Sequence, residues 1–132
     1  MKVMILGKAT PQSEAGEFGS PEDFAAMNEF NEQLIEAGIL LTGDGLQPSS
    51  KGKRVAFDAD GSATVMDGPF AETKEVIAGY GIWQVASIEE AVEWVKRSPL
   101  RNSEVEIRKI LDADDFSDSL AADIAAAEER AR

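Results

Sequence analysis

Two segments constrain this chain more than any others. "KVMILGK" (Lys2–Lys8) and "VIAGYGIWQVAS" (Val76–Ser87) carry apolar residues on both alternating sets of positions. In the first, Val3 and Ile5 form one set and Met4 and Leu6 the other. In the second, Tyr80 and Trp83 fall on opposite faces, so one is expected in the core and the other in a cavity on the far side. Successive side chains of a strand point to opposite sides, so a strand apolar on both sets has to be covered on both faces. Any fold for this chain must therefore supply two covers.

The rest of the sequence supplies one. Ser20-Pro21-Glu22-Asp23 gives an N-cap, a proline at the first helical position and acid in the first turn. Phe24, Met27, Phe30, Leu34 and Ile35 then make a helical stripe that stops at Gly38. A second helix opens at the capping box Ser87-Ile88-Glu89-Glu90, with a stripe at Ile88, Ala91, Val92 and Val95, and ends at Ser98-Pro99. Between them, Ile39–Pro48 reads as a glycine-bent strand. "KRVAFDADGSATVMDG" reads as a hairpin that sets Val55 and Phe57 against Ala63 and Val65 across Asp60-Gly61. Residues 104–110 alternate Val105 and Ile107 with Glu106 and Arg108, a strand with one polar face. A loop is expected after Lys8, and an acidic helix over 117–131, docked by Phe116, Leu120 and Ile124. The order is an α+β, ferredoxin-like plan: an antiparallel sheet with two helices on one face, an extra hairpin and a C-terminal helix. Two helices cover one face. A second copy's sheet is the economical cover for the other, so a homodimer is expected.

Composition removes several functions. The formal net charge is −12, and residues 112–132 hold seven acidic residues against two arginines, which argues against nucleic acid and against an anionic membrane surface. Histidine and cysteine are both absent, removing the commonest general base, the thiol nucleophile and thiolate metal sites. The opening apolar run is too short for a signal-peptide core or a membrane span, so a cytoplasmic protein is expected.

The stretch "DGPFAETKE" (Asp67–Glu75) is the candidate site. Pro69 fixes its own backbone and pushes Gly68 towards an extended one, Asp67 can accept from following N–H groups, and Phe70 can anchor the corner. None of that needs Glu72, Lys74 or Glu75. Asp67, Glu72 and Lys74 are therefore the candidate catalytic residues, because a carboxylate beside an ammonium in a cleft suits proton transfer. Asp44, Phe70, Glu75 and Arg108 are candidate ligand-binding residues. Asp44 sits in "TGDGL", a Gly-x-Gly without the rest of a dinucleotide fingerprint. Arg108 stands among Val105, Ile107 and Ile110, where it would pair with a carboxylate, for example among the neighbours of Glu106 or at Asp67, or receive an anion. No metal site and no cofactor is expected; a cation on Asp67, Glu72 and Glu75 would have to be a hard, oxygen-ligated ion. "KGKR" (Lys51–Arg54) reads as a solvated hairpin flank.

Taken together, "MKVMILG", "EAGILLTGDGLQP", "DGPFAETKEVIAGYGIWQV", "SIEEAVEWVKRSP" and "VEIRKI" resemble the YCII-related, DGPF-motif family over residues 1–111, with 112–132 as an acidic extension. That resemblance implies a ferredoxin-like domain pairing face to face as a dimeric α+β barrel. Relatives nearer the YciI type imply His–Asp chemistry, which cannot carry over to a chain without histidine. Two functions follow as expectations. The first is a protein that binds or transforms a small molecule in a cleft at the dimer barrel. The second is a non-catalytic interaction module, linked by family context to an extracytoplasmic-function sigma factor.

Overall fold

The computed structural model describes residues 1–131, without the side chain of Lys74. Strand β1 (Lys2–Lys8) is followed by a one-turn helix α1 (Pro11–Glu14), then α2 (Pro21–Glu36) and β2 (Leu40–Gly45). The hairpin β3 (Lys53–Phe57) and β4 (Ala63–Asp67) comes next, then β5 (Ile77–Gln84), α3 (Ile88–Lys96), β6 (Val105–Lys109) and α4 (Asp118–Arg130). Helix α1 was not expected. Its N-cap, Thr10, exchanges hydrogen bonds with Ser13 ahead of Pro11, so the supposed loop carries its own start signal.

Four strands form one sheet in the order β2-β5-β1-β6, every neighbouring pair antiparallel, which is the ferredoxin-like arrangement. The hairpin stands apart as a two-stranded ribbon, with Val55 opposite Val65 and Phe57 opposite Ala63 as expected. Its apolar side is open: Phe57 is 72% exposed.

Helices α2 and α3 share one face of the four-stranded sheet. Ser20 caps α2 through a reciprocal pair with Asp23, and Gly38 ends it in the left-handed region at φ 73°. The core is Val3, Phe30, Leu34, Ile39, Trp83, Val85 and Ala91, with the Phe30 and Trp83 rings tilted against one another at 6.4 Å. Burying a side chain such as Leu34 contributes about 1.5–3 kcal/mol. The α2 stripe is narrower than its sequence: Phe30 and Leu34 are buried and Met27 half-buried, while Phe24 and Ile35 face outward. Ile35 lies one residue round from Leu34, about 100° off the buried line.

The opposite face carries Met4 and Leu6 of β1 with Tyr80 and Ile82 of β5, register partners that are all half-buried. Among the described residues, the helices that build the core, α2 and α3, pack on the other face. The tail helix does not serve as a lid, because none of its residues is buried and Leu120 is 44% exposed. Phe116 and Ile124 are half-buried, so docking along the expected line is shallow. The tail is tied at its root instead: Lys109 Nζ reaches Asp115 at 2.7 Å and Asp112 at 3.4 Å. These carboxylates raise the Lys109 ammonium above its ordinary value, led by the Asp115 bond.

Candidate functional site

Register decides where the sheet has no side chains. On the helix side, Gly7 lies opposite Gly79, Gly79 opposite Gly45, and Gly81 opposite Gly43, so glycines from three neighbouring strands adjoin. Together they floor a cleft of about 320 Å³ walled by Ile5, Met27, Phe30, Leu40, Trp83, Val95 and Val105. The floor is tight at two of its glycines. A Cβ on Gly43 would stand 3.1 Å from the Tyr80 carbonyl oxygen, and one on Gly79 3.3 Å from that of Asp44. At Gly45 it would meet nothing within 4 Å. Trp83 leans over Gly81, its Nε1 3.2 Å from where a Cβ would be. The walls are apolar and aromatic, with Asn31 and Ser98 as polar exceptions.

Asp44 and Tyr80 border the same cleft, but the register turns their side chains to the other face of the sheet. There the Tyr80 hydroxyl donates to Asp44 Oδ2 at 3.0 Å. That bond, then the carboxylate's charge, then partial burial raise the phenol above its ordinary value. A raised native value means the stabilisation from this bond is full below about pH 10 and lost as pH rises through the native value. Tyr80 is the only tyrosine, so ultraviolet absorbance of the phenolate reads it alone. The expected midpoint lies above that of free tyrosine, and Asp44→Asn should return it towards that value. A wild-type midpoint at or below the ordinary value would show that the pair does not form in solution.

The "DGPF" corner is built against a segment that sequence reasoning passed over. Its Gly68–Pro69 bond is cis. The Gly68 N–H donates to the Gly52 carbonyl at 3.0 Å, and the Phe70 N–H donates to Ser49 Oγ at 3.2 Å. Ser49 is buried and in turn donates to Glu14, through its N–H at 2.9 Å and through its hydroxyl. Those two bonds hold the Glu14 carboxyl below the ordinary glutamate range, the hydroxyl first. The unexpected α1 thus reaches the corner through Glu14. A second cleft of about 380 Å³ opens beside it, bordered by Lys51, Arg54, Phe70 and Glu75. The Arg54 guanidinium lies 3.9 Å over the Phe70 ring.

The predicted site residues are thereby spread over several places. Asp44 borders the first cleft, and Phe70 and Glu75 the second. Asp67 is exposed and pairs with Lys53 across the hairpin, and Glu72 is exposed before a 3-10 turn at Thr73–Glu75. Neither borders either cleft. The Lys74 side chain lies outside what the structure describes. Arg108 is 3.1 Å from Glu106, which also takes Lys8 at 3.2 Å. Among the described residues no ion pair joins Arg108 to Asp67, because Glu106, two residues away on the same face of β6, already holds it. "KGKR" is more than a solvated flank: it gives Lys53 to Asp67, Arg54 to Phe70 and Lys51 to the second cleft. The hairpin register was the signal for this, since it sets Lys53 and Arg54 opposite Asp67 and Met66. Among the described residues no three His, Cys, Asp or Glu side chains are grouped to hold a metal ion, and no helix is long and apolar enough to cross a membrane.

The YCII-related domain matches residues 1–114. The chain belongs to the YCII-related family. A relative in that family, "Uncharacterized protein R00369" of Rhizobium meliloti (strain 1021), is 32% identical over 88 residues, 64% of this chain and 70% of that one. Among solved structures, this YCII-related chain is similar to 5-chloro-2-hydroxyhydroquinone dehydrochlorinase (TftG) from Burkholderia phenoliruptrix AC1100, in complex with 2,5-dihydroxybenzoquinone. That similarity is 17% identity and a TM-score of 0.47, covering 89% of this chain and all of the other.

Proposed function

We propose that this protein binds a small, flat, largely apolar molecule in the glycine-floored cleft and acts as a homodimer whose two uncovered sheet faces meet. The observation that carries the binding is the floor itself. Side chains are missing where three strands adjoin beneath two helices, and the resulting space of about 320 Å³ has aromatic and aliphatic walls. That volume lies at the small end of ligand pockets and suits one or two rings. The dimer draws support from Met4, Leu6, Tyr80 and Ile82, an apolar strip on the two central strands, flanked by Glu106 and Arg108 on β6 and by Thr42 and Asp44 on β2.

Binding comes before chemistry in this reading. Among the described residues bordering the cleft the one carboxylate is Asp44, and it already holds Tyr80. The Asp44 side chain lies on the other face of the sheet, and the corner residues Asp67 and Glu72 border neither cleft, so the reading here is binding, with catalysis by Asp67, Glu72 and Lys74 left without a place at this cleft. The alternative, a module tied to a sigma factor, has no support in the fold or in the relatives.

Gly45→Leu tests the cleft, because its first carbon meets open space and its remainder runs into the cavity. Titrating ¹⁵N-labelled protein with p-cresol should move the amide signals of Gly43, Gly45 and Gly79 and the Trp83 indole. Gly45→Leu should weaken that binding about tenfold or more while the far-ultraviolet spectrum is unchanged. Equal binding by the two proteins, or shifts scattered over the surface, would reject the cleft.

A further inference from the structure

The second cleft is separate from the one just assigned, and its chemistry is different. The chain holds 25 acidic residues against 13 basic ones, so a lysine or arginine has many carboxylates available to it. Lys8, Lys53, Lys96, Arg108 and Lys109 each take one, whereas Lys2, Lys51, Arg54, Arg97, Arg101 and Arg130 do not among the described residues. Lys51 and Arg54 border one cleft together, and among the described residues neither has a carboxylate within 4.0 Å.

Arg54 is also held in position. One face of its guanidinium lies on the Phe70 ring, which leaves the donors along its edge to turn towards the cleft. Phe70 is fixed by its N–H bond to Ser49, and Ser49 is fixed by Glu14. A planar cation on an anchored aromatic platform loses little freedom when an anion arrives. The cleft also has an apolar part: Leu46, 44% exposed, and Ile77, 36% exposed, border it. Glu75 also borders it, and its charge weighs against a ligand with two negative charges.

We propose that this cleft binds a small monoanionic carboxylate with an apolar body, the carboxylate on Arg54 and Lys51 and the body against Leu46 and Ile77. The "DGPF" corner then has a reason beyond turning the chain, because it sets the platform on which Arg54 lies.

The test uses the full chain at neutral pH and low salt, titrated with benzoate, inorganic phosphate and benzylamine while ¹⁵N amide shifts are followed. Benzoate should give saturable shifts at Gly52 and Phe70, phosphate weaker ones, and benzylamine none. Arg54→Gln should weaken benzoate about tenfold or more, since a charge-assisted pair is lost, and Arg54→Lys should keep part of it. Arg54 is exposed, so both variants should melt like wild type. No saturable benzoate shift, or equal benzoate binding by Arg54→Gln, would overturn the site, and tighter phosphate than benzoate would overturn the monoanion assignment. The p-cresol shifts at Gly43, Gly45 and Gly79 are read separately in the same spectra, so either cleft can fail without the other.

Discussion

Gly68→Ala should lower the melting temperature by about 10 °C or more, a loss of roughly 3 kcal/mol or beyond. A Cβ at Gly68 would stand 1.7 Å from the Ser49 carbonyl oxygen and 2.6 Å from its carbon. Both are backbone atoms, so no side chain can swing aside. Ser49 cannot retreat either, because its N–H and hydroxyl are held by Glu14 and its Oγ receives the Phe70 N–H. Relief means parting the corner from the segment before the hairpin, with the loss of the Gly68–Gly52 bond as well. Gly52→Ala is the matched control: its Cβ would lie 3.5 Å from the Ser49 oxygen, an ordinary contact, and φ is −105°. Thermal melts followed by circular dichroism should separate the two substitutions widely. If Gly68→Ala melts within a few degrees of wild type, the corner and Ser49 are not held against one another.

Ile82→Asp should turn a dimer of about twice 14.2 kDa into a monomer in light scattering at micromolar concentration. Ile82 is the register partner of Met4, in the middle of the sheet face opposite α2 and α3. In a two-fold assembly every substitution counts twice, so two carboxylates would be buried without partners. At a few kcal/mol for each buried unpaired group, the dissociation constant should rise by roughly a thousandfold or more. Leu120→Asp, on the exposed face of the tail helix, should leave the mass unchanged. A wild-type monomer at these concentrations would remove the dimer from the proposed function.

Periodicity and capping made the strands and long helices legible in the sequence. Ser20-Pro21 and Ser87 fix helix starts through bonds to residues three positions on, and local text records such bonds. The two-sided apolarity of β1 and β5 likewise gave the uncovered face. The cleft was not legible in the same way. Its floor exists because Gly7, Gly79 and Gly45 come level, and that depends on the pairing of strands far apart in the chain. The corner shows the same limit. Asp67–Phe70 could be read as a turn, but its partners Glu14, Ser49 and Gly52 lie outside the motif and reach it through tertiary bonds. Charge misled for a related reason. Arg108 and Asp67 each had a partner closer at hand, Glu106 along its own strand and Lys53 across the hairpin.

The glycine floor also sets how such a cleft can change from one protein to another. A methyl at Gly45 enters empty space and one at Gly7 makes a 3.7 Å contact, whereas Gly43 and Gly79 stand against backbone oxygens at 3.1 and 3.3 Å. Depth can therefore be adjusted at Gly45 and Gly7, one carbon at a time, while Gly43 and Gly79 stay fixed by the pairing of the strands. A gene with a floor like this could retune the length of the molecule it accepts by single codon changes, leaving the aromatic walls, the helices and the stability of the domain untouched.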